Sequence, residues 1–108
     1  MYGLARDTDL TFLVDAKVIS VAISQFQAQL YLNNNFEISV EGECELDQKP
    51  VDFLQLESLA GAKIFGATVQ VDGGMNLFFD DGRRLTLLDS NDAFESYQVT
   101  GPGVNIIV

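Results

Sequence analysis

The sequence predicts one all-β domain spanning residues 1–108, with one or two short helical turns. Apolar and polar residues alternate over residues 16–24 and 36–41, as in half-buried strands. Asn, Asp and Gly separate such segments, and residues 9–47 resemble residues 55–97. Two pseudo-symmetric three-stranded repeats, followed by one or two further strands, predict a compact sandwich, roll or small barrel. The choice among these three architectures stays open.

The repeat becomes visible when the chain is aligned with itself at an offset of 46 residues. Each copy opens with a Leu-x-x-Leu spacing, which places two leucines on one face of a short helix. A strand follows in each copy, and its alternating apolar residues are expected to face the core. The matching pairs are Leu10/Leu56, Leu13/Leu59, Ala16/Ala62, Lys17/Lys63, Ile19/Phe65, Val21/Ala67 and Ile23/Val69.

The second and third strands of each repeat are predicted to form a hairpin with a three-residue loop. Loop 33–35 pairs Leu30 with Ile38, and loop 80–82 pairs residue 77 with residue 85, so that apolar residues share a face. These loops need a left-handed residue at their last position, which Asn35 and Gly82 supply.

The remaining segments set the repeat boundary and the cellular compartment. Pro50 disfavours a central strand, so the boundary is placed near residues 48–55. Residues 104–108 are predicted to form a closing strand after a Gly-Pro-Gly turn.

Cys44 falls on the same side of the predicted strand as Ile38 and Val40, which predicts a buried, inert thiol. A lone cysteine, no signal peptide and no apolar stretch near the ~20 residues of a membrane span predict a cytoplasmic protein.

Charge restricts the class of partner. The chain has 16 acidic and 6 basic residues, a net charge of −10 and a pI near 4.1. Nucleic acids and anionic membranes both require basic surfaces, so neither is expected as a partner. The acidity serves solubility in one interpretation and attracts a basic protein in the other.

The densest acidic segment lies between residues 36 and 47. If its alternation continues throughout, five carboxylates share one strand face: Glu37, Glu41, Glu43, Glu45 and Asp47. This face is interpreted as a solvated surface that discourages edge pairing, as a docking ridge for a basic partner, or as a cation site.

Aromatic residues suggest two further contact surfaces. Phe26 occupies the first predicted turn, where it either folds over the core or anchors a partner. Tyr31 and Phe78 hold matching positions on the face opposite the main apolar row, so they cover a second core or a homodimer interface.

Catalysis is not expected. The chain has no histidine, which removes the commonest general base and the commonest metal ligand. One cysteine without histidine also excludes a zinc site. No cofactor, metal or catalytic residue is therefore predicted.

Residues 77–87, followed by Phe94-Glu95-Ser96-Tyr97, resemble a pattern in small uncharacterised bacterial all-β proteins. In that pattern a strand ends in Asp-Gly, a second strand follows, and an aromatic-Glu-x-aromatic segment comes next. The resemblance lies mainly in residues 56–97. The genes of such proteins are often carried as small cargo genes or lie beside toxin genes, so the resemblance implies that an immunity-type binding role is one to consider.

These observations together predict a non-enzymatic binding module. Its concrete form is an immunity-like inhibitor that uses an acidic face, and Phe26, to bind a basic protein partner. A small-ligand-binding β-barrel and a structural homodimer remain the alternatives.

Overall fold

The structure, a computed structural model, describes residues 7–89 and 96–108. Residues 90–95, which include Phe94 and Glu95 of the motif above, lie outside the described residues. The described residues form two short 3-10 helices and ten strands. In chain order these are η1 Thr11–Leu13, β1 Val18–Ile23, β2 Ala28–Leu32, β3 Glu37–Val40, β4 Cys44–Leu46, β5 Lys49–Val51, η2 Phe53–Leu59, β6 Ile64–Val69, β7 Met75–Phe79, β8 Arg84–Leu87, β9 Tyr97–Gly101 and β10 Val104–Ile107.

The strands form two antiparallel sheets of five strands each, in the orders β1-β2-β3-β9-β10 and β5-β4-β8-β7-β6. Each repeat supplies a short helix and three consecutive strands of one sheet, and the hairpin that comes after these strands, β4–β5 or β9–β10, belongs to the other sheet. The inner faces of both sheets share one hydrophobic core. The all-β prediction and its two three-stranded repeats are confirmed, and the described strands do not close into a barrel. The exchanged hairpins were not predicted.

The predicted hairpin registers are confirmed in both repeats. Leu30 pairs with Ile38, and Leu77 pairs with Leu85. Asn35 has a φ of 70° and Gly82 a φ of 92°, so both adopt the left-handed conformation that the last loop position requires. Asparagine tolerates this conformation better than most non-glycine residues do, which explains why the two repeats can use different residues there.

The two repeats meet at a seam where equivalent residues face each other. Lys17 pairs with Lys63 in an antiparallel bridge. The hydrogen bonds on either side are equivalent, because Val18 N donates to Ala62 O at 2.9 Å and Ile64 N donates to Ala16 O at 2.8 Å. This reciprocity shows a pseudo-twofold relation between the repeats, and it joins the first strand of one sheet to the first strand of the other.

A β-bulge at the start of β1 and of β6 changes the direction of two apolar side chains. The register shifts between Val18 and Ser20, and again between residues 64 and 66. The inward prediction was therefore wrong for Ile19 and Phe65, whose exposed fractions are 58% and 59%. A bulge places an extra residue in one strand and interrupts the alternation on which that prediction rested. On the outer face, the Phe65 and Phe78 ring centroids lie 6.3 Å apart.

The helix and hairpin of each repeat are joined by different chemistry at equivalent positions. In the first repeat, the rings of Phe12 and Phe36 pack with centroids 4.7 Å apart. In the second, Arg83 donates to the hydroxyl of Ser58 at 2.8 Å and to its carbonyl at 3.0 Å, and also binds Asp81. The hydrogen bonds that Arg83 donates directly to Asp81 lower the pKa of that carboxyl group.

Candidate functional site

The acidic segment changes from one sheet to the other partway along its length. β3 belongs to the first sheet and β4 to the second, with residues 41–43 crossing between them. The prediction of one continuous acidic strand face was therefore wrong. The crossing is fixed by backbone hydrogen bonds, because Glu41 N and Gly42 N both donate to Ser96 O, and Leu88 N donates to Glu43 O.

The structure distributes the five predicted carboxylates over different surfaces. Glu37 lies on the outer face of the first sheet and accepts a hydrogen bond from the Ser39 hydroxyl at 3.4 Å. Glu45 is half-buried on the second sheet, and Asp47 lies at the far end of β4, where it accepts from Arg84 N at 3.0 Å. Only Glu41 and Glu43 lie together in the crossing segment.

The crossing segment lies at the same end of the molecule as two hairpin turns. Ala28, just after the β1–β2 turn, pairs with Val40, the residue before the crossing. Met75, just after the β6–β7 turn, pairs with Leu87, which pairs in turn with Cys44. Residues 24–27, 41–43 and 70–74 therefore share one end, which we call the crossover end.

Two apolar side chains project from the turns of the crossover end. Phe26 has an exposed fraction of 75%, so it does not fold over the core, and Val71 has one of 82%. They are the most exposed large apolar residues in the described part of the chain. Sequence analysis missed Val71. The signal that could have found it is its position in the second repeat, at the turn equivalent to the one that carries Phe26.

Carboxylates lie at the same end of the molecule as these apolar tips. Glu41 is exposed and accepts from Gln98 Nε2 at 3.3 Å, while Glu43 is exposed in the same segment. Asp72 follows Val71 and accepts from Gly74 N at 3.2 Å. The basic residues of the described chain lie elsewhere. Lys17 and Lys63 lie at the seam between the repeats, and Lys49, Arg83 and Arg84 lie at the ends of β5 and β8 that are farther from the crossover end. The crossover end is therefore anionic.

Two buried side chains below the crossover end are held in their neutral forms. Burial raises the pKa of the Cys44 thiol to about 11, and Asp52 and Glu45 add to this effect. Burial also raises the pKa of the Tyr97 phenol, with further contributions from Asp89 and Asp72. The prediction that Cys44 is buried is confirmed, and a thiol with this pKa is a poor nucleophile at neutral pH.

Stability is expected to fall with rising pH because of Cys44. The unfolded thiol loses its proton near pH ~8.5, whereas the folded thiol keeps it up to about pH 11. The stabilisation is thus complete below the unfolded pKa and is lost through this interval, by roughly 2–3 kcal/mol. Urea unfolding between about pH 8.5 and 10 measures the first part of this loss, below the ordinary tyrosine pKa, where Tyr97 does not yet contribute, and Cys44→Ala should abolish it there. Equal pH slopes in the two proteins would contradict the assignment.

The described residues contain neither a grouped set of metal ligands nor a long apolar helix. No three Asp, Glu or Cys side chains of residues 7–89 and 96–108 come together as a candidate metal cluster. In the same part of the chain, no helix combines the length and apolar character needed to cross a membrane. A depression of about 340 Å³ next to Cys44 is lined by Glu43, Glu45, Pro50, Val51 and Leu88.

The fold and the comparisons with known proteins define the class and the family. The protein is an all-β protein made of two related repeats that exchange their C-terminal hairpins between two sheets. A family model matches residues 10–108, so the chain belongs to a family of unknown function, DUF6188. Searches of curated proteins and of solved structures returned no match.

Proposed function

We propose that the protein is a non-enzymatic interaction module that binds a basic protein through its crossover end. The observation that carries this proposal is the combination of two exposed apolar residues, Phe26 and Val71, with exposed Glu41 and Glu43 at the same end. Apolar anchors surrounded by charged groups are typical of protein interfaces, since burying the anchors supplies affinity and the charges select the partner.

The charge of the whole chain supports the same partner. A net charge of −10 attracts a basic protein over distances up to the Debye length and raises the association rate. The crossover end then offers two projecting side chains that can enter apolar depressions on the partner. An immunity-like inhibitor of a basic toxin enzyme is the concrete form of the proposal, and the free, buried Cys44 is compatible with a reducing cytoplasm.

Capture of a partner from a lysate of the encoding organism tests the proposal. We expect wild-type protein to retain a basic protein at about 50 mM salt and to release it at about 500 mM. Phe26→Ser and Glu41→Lys should lose it. Glu57→Lys is the matched control, because Glu57 is exposed on η2, outside the crossover end, and its reversal changes the net charge equally.

Association kinetics with the isolated partner give the decisive measurement. Glu41→Lys should slow association by roughly three- to tenfold at low salt, whereas Phe26→Ser should mainly speed dissociation. If Glu57→Lys slows association as much as Glu41→Lys, the net charge acts alone and the crossover end is not the site. A captured partner that is acidic would also contradict the proposal.

A further inference from the structure

The two sheets end in equivalent edge strands, β5 and β10. β5 is the outermost strand of the second sheet and β10 the outermost strand of the first. The two edges correspond through the exchanged hairpins. Val51 pairs with Cys44 on β4, and Val108, directly after β10, is hydrogen-bonded to Tyr97 on β9. Cys44 and Tyr97 are equivalent, because they pair with the equivalent residues Leu87 and Val40. Pro50, directly before Val51, is therefore equivalent to Ile107, directly before Val108.

The backbone groups that face away from each sheet follow from the hydrogen-bond pattern. Val108 N donates to Tyr97 O at 3.0 Å, and Tyr97 N donates to Val108 O at 3.4 Å. Hydrogen-bonded and non-hydrogen-bonded pairs alternate along an antiparallel ladder. Ile106, like Val108, therefore forms a hydrogen-bonded pair with β9, whereas Asn105 and Ile107 form non-hydrogen-bonded pairs. The N–H and C=O groups of Asn105 and Ile107 thus point away from β9.

One edge is blocked and the other is open. On β5 the outward position is Pro50, which has no N–H to donate, and Lys49 precedes it. Proline and lysine are devices by which proteins prevent strands from adding to an edge. On β10 the same position is Ile107, with an outward N–H and a side chain that is 41% exposed.

The open edge has no charged side chain. Residues 96–108 contain no acidic or basic residue, although the chain carries 16 acidic and 6 basic ones. Two acidic residues of the first sheet face this edge across β9. Glu37 on β3 pairs with Thr100, which pairs with Asn105, and Glu41, directly after β3, accepts from the side chain of Gln98, which pairs with Ile107. Both residues are two strand spacings, about 10 Å, from the edge. A basic partner would gain little here, whereas a second anionic copy can approach without placing carboxylates in contact.

We propose that β10 pairs antiparallel with β10 of a second copy, around a twofold axis at Ile106. In this register, Asn105 of each copy opposes Ile107 of the other, and their outward groups make four hydrogen bonds. Ile106 of one copy opposes Ile106 of the other, and both side chains lie on the inner face, where each packs against the core of its own copy. The result is a ten-stranded sheet shared by two copies.

The dimer is weak and is strengthened by salt. Four-residue strands bury little area compared with the ~1,600 Å² of a standard interface, so dimerisation depends on protein concentration. Each copy carries a net charge of −10, and salt screens the repulsion between the copies. This salt dependence is opposite in sign to that expected for the basic partner, so the two associations are distinguishable.

Sedimentation velocity tests the dimer. Wild-type protein and Ile107→Val, which keeps the N–H, should shift toward the dimer between about 10 and 300 µM, and more so at high salt. Ile107→Pro should stay monomeric over this range with an unchanged unfolding midpoint, because Pro50 shows that the equivalent edge position accepts proline. A monomeric wild-type protein, or dimerisation of Ile107→Pro, would overturn the proposal.

Cross-linking tests the register. Opposed residues of a non-hydrogen-bonded pair have Cα atoms about 4.5 Å apart, within the range of a disulfide. Ile106→Cys should therefore cross-link two copies on mild oxidation, while Asn105→Cys should not, and buried Cys44 gives no background. Cross-linking of Asn105→Cys alone would overturn this register. Phe26→Ser should leave the dimer unchanged, and Ile107→Pro should leave capture of the basic partner unchanged.

Discussion

Replacing Tyr97 by alanine is expected to lower the free energy of unfolding by about 3–5 kcal/mol, the usual loss for a fully buried aromatic side chain. Tyr97 lies on β9 of the first sheet and has no exposed surface. Its hydroxyl donates to Gly73 O at 2.9 Å, in the β6–β7 turn that belongs to the second sheet. The side chain therefore fills the shared core and also fixes one sheet to the other. Urea unfolding measures the loss.

Tyr97→Phe separates the hydrogen bond from the packing. It keeps the ring but leaves the buried Gly73 carbonyl without its donor, at a cost of about 1–2 kcal/mol. Tyr31→Phe is the matched control, because the Tyr31 hydroxyl donates to Gln29 Oε1 on the outer face, where its loss should cost less than about 0.5 kcal/mol. Equal losses for the two variants would show that the contact with Gly73 does not stabilise the fold.

Gly101→Ala is expected to destabilise the protein by about 1–3 kcal/mol through overpacking. A Cβ atom at Gly101 would lie 2.7 Å from two ring atoms of Phe36, Cε1 and Cγ. That ring cannot move away freely, because it packs against Phe12. The glycine thus gives the aromatic ring its space on the neighbouring strand, an arrangement known from other sheets.

A double-mutant cycle tests this explanation. In the Phe36→Ala background the added methyl group meets no ring, so Gly101→Ala should cost less than about 0.5 kcal/mol there. Gly82→Asn is the control for replacing a glycine where the new side chain meets no neighbour, because Gly82 has open space around it and Asn35 already fills the equivalent position. If Gly101→Ala costs the same in both backgrounds, the clash with Phe36 is not its cause.

Sequence patterns predicted the parts of the fold that depend on local chemistry. The loop residues Asn35 and Gly82 determined both hairpin registers, because a shift by one residue would expose Leu30 and Leu77. The Leu-x-x-Leu spacing predicted both short helices, in which Leu13 and Leu59 are fully buried. These signals are contained within a few neighbouring residues, so one sequence was enough.

The candidate site was predicted only in part because it depends on long-range topology. Residues 36–47 were interpreted as one strand, since alternation alone does not report that Gly42 lies where the chain changes sheets. Cys44 and Val40 still face the same core, so the inward side of the pattern was right and the shared outer face was wrong. Phe26 was identified from its turn position, but its location at the same end of the molecule as Glu41 required the observed register.

The exchange of hairpins determines the order in which the chain can fold. β3 is completed by β9, about 60 residues later in the sequence, so its edge stays unpaired while the ribosome makes the second repeat. Exposed edges of nascent sheets are sites where unfinished chains stick together. Glu37 on β3 and Glu41 directly after it are charged side chains of the kind that disfavour strand addition at an open edge, so we expect them to oppose such pairing until β9 is in place. Glu41 is thus expected to act both at the crossover end of the folded protein and at this edge during synthesis.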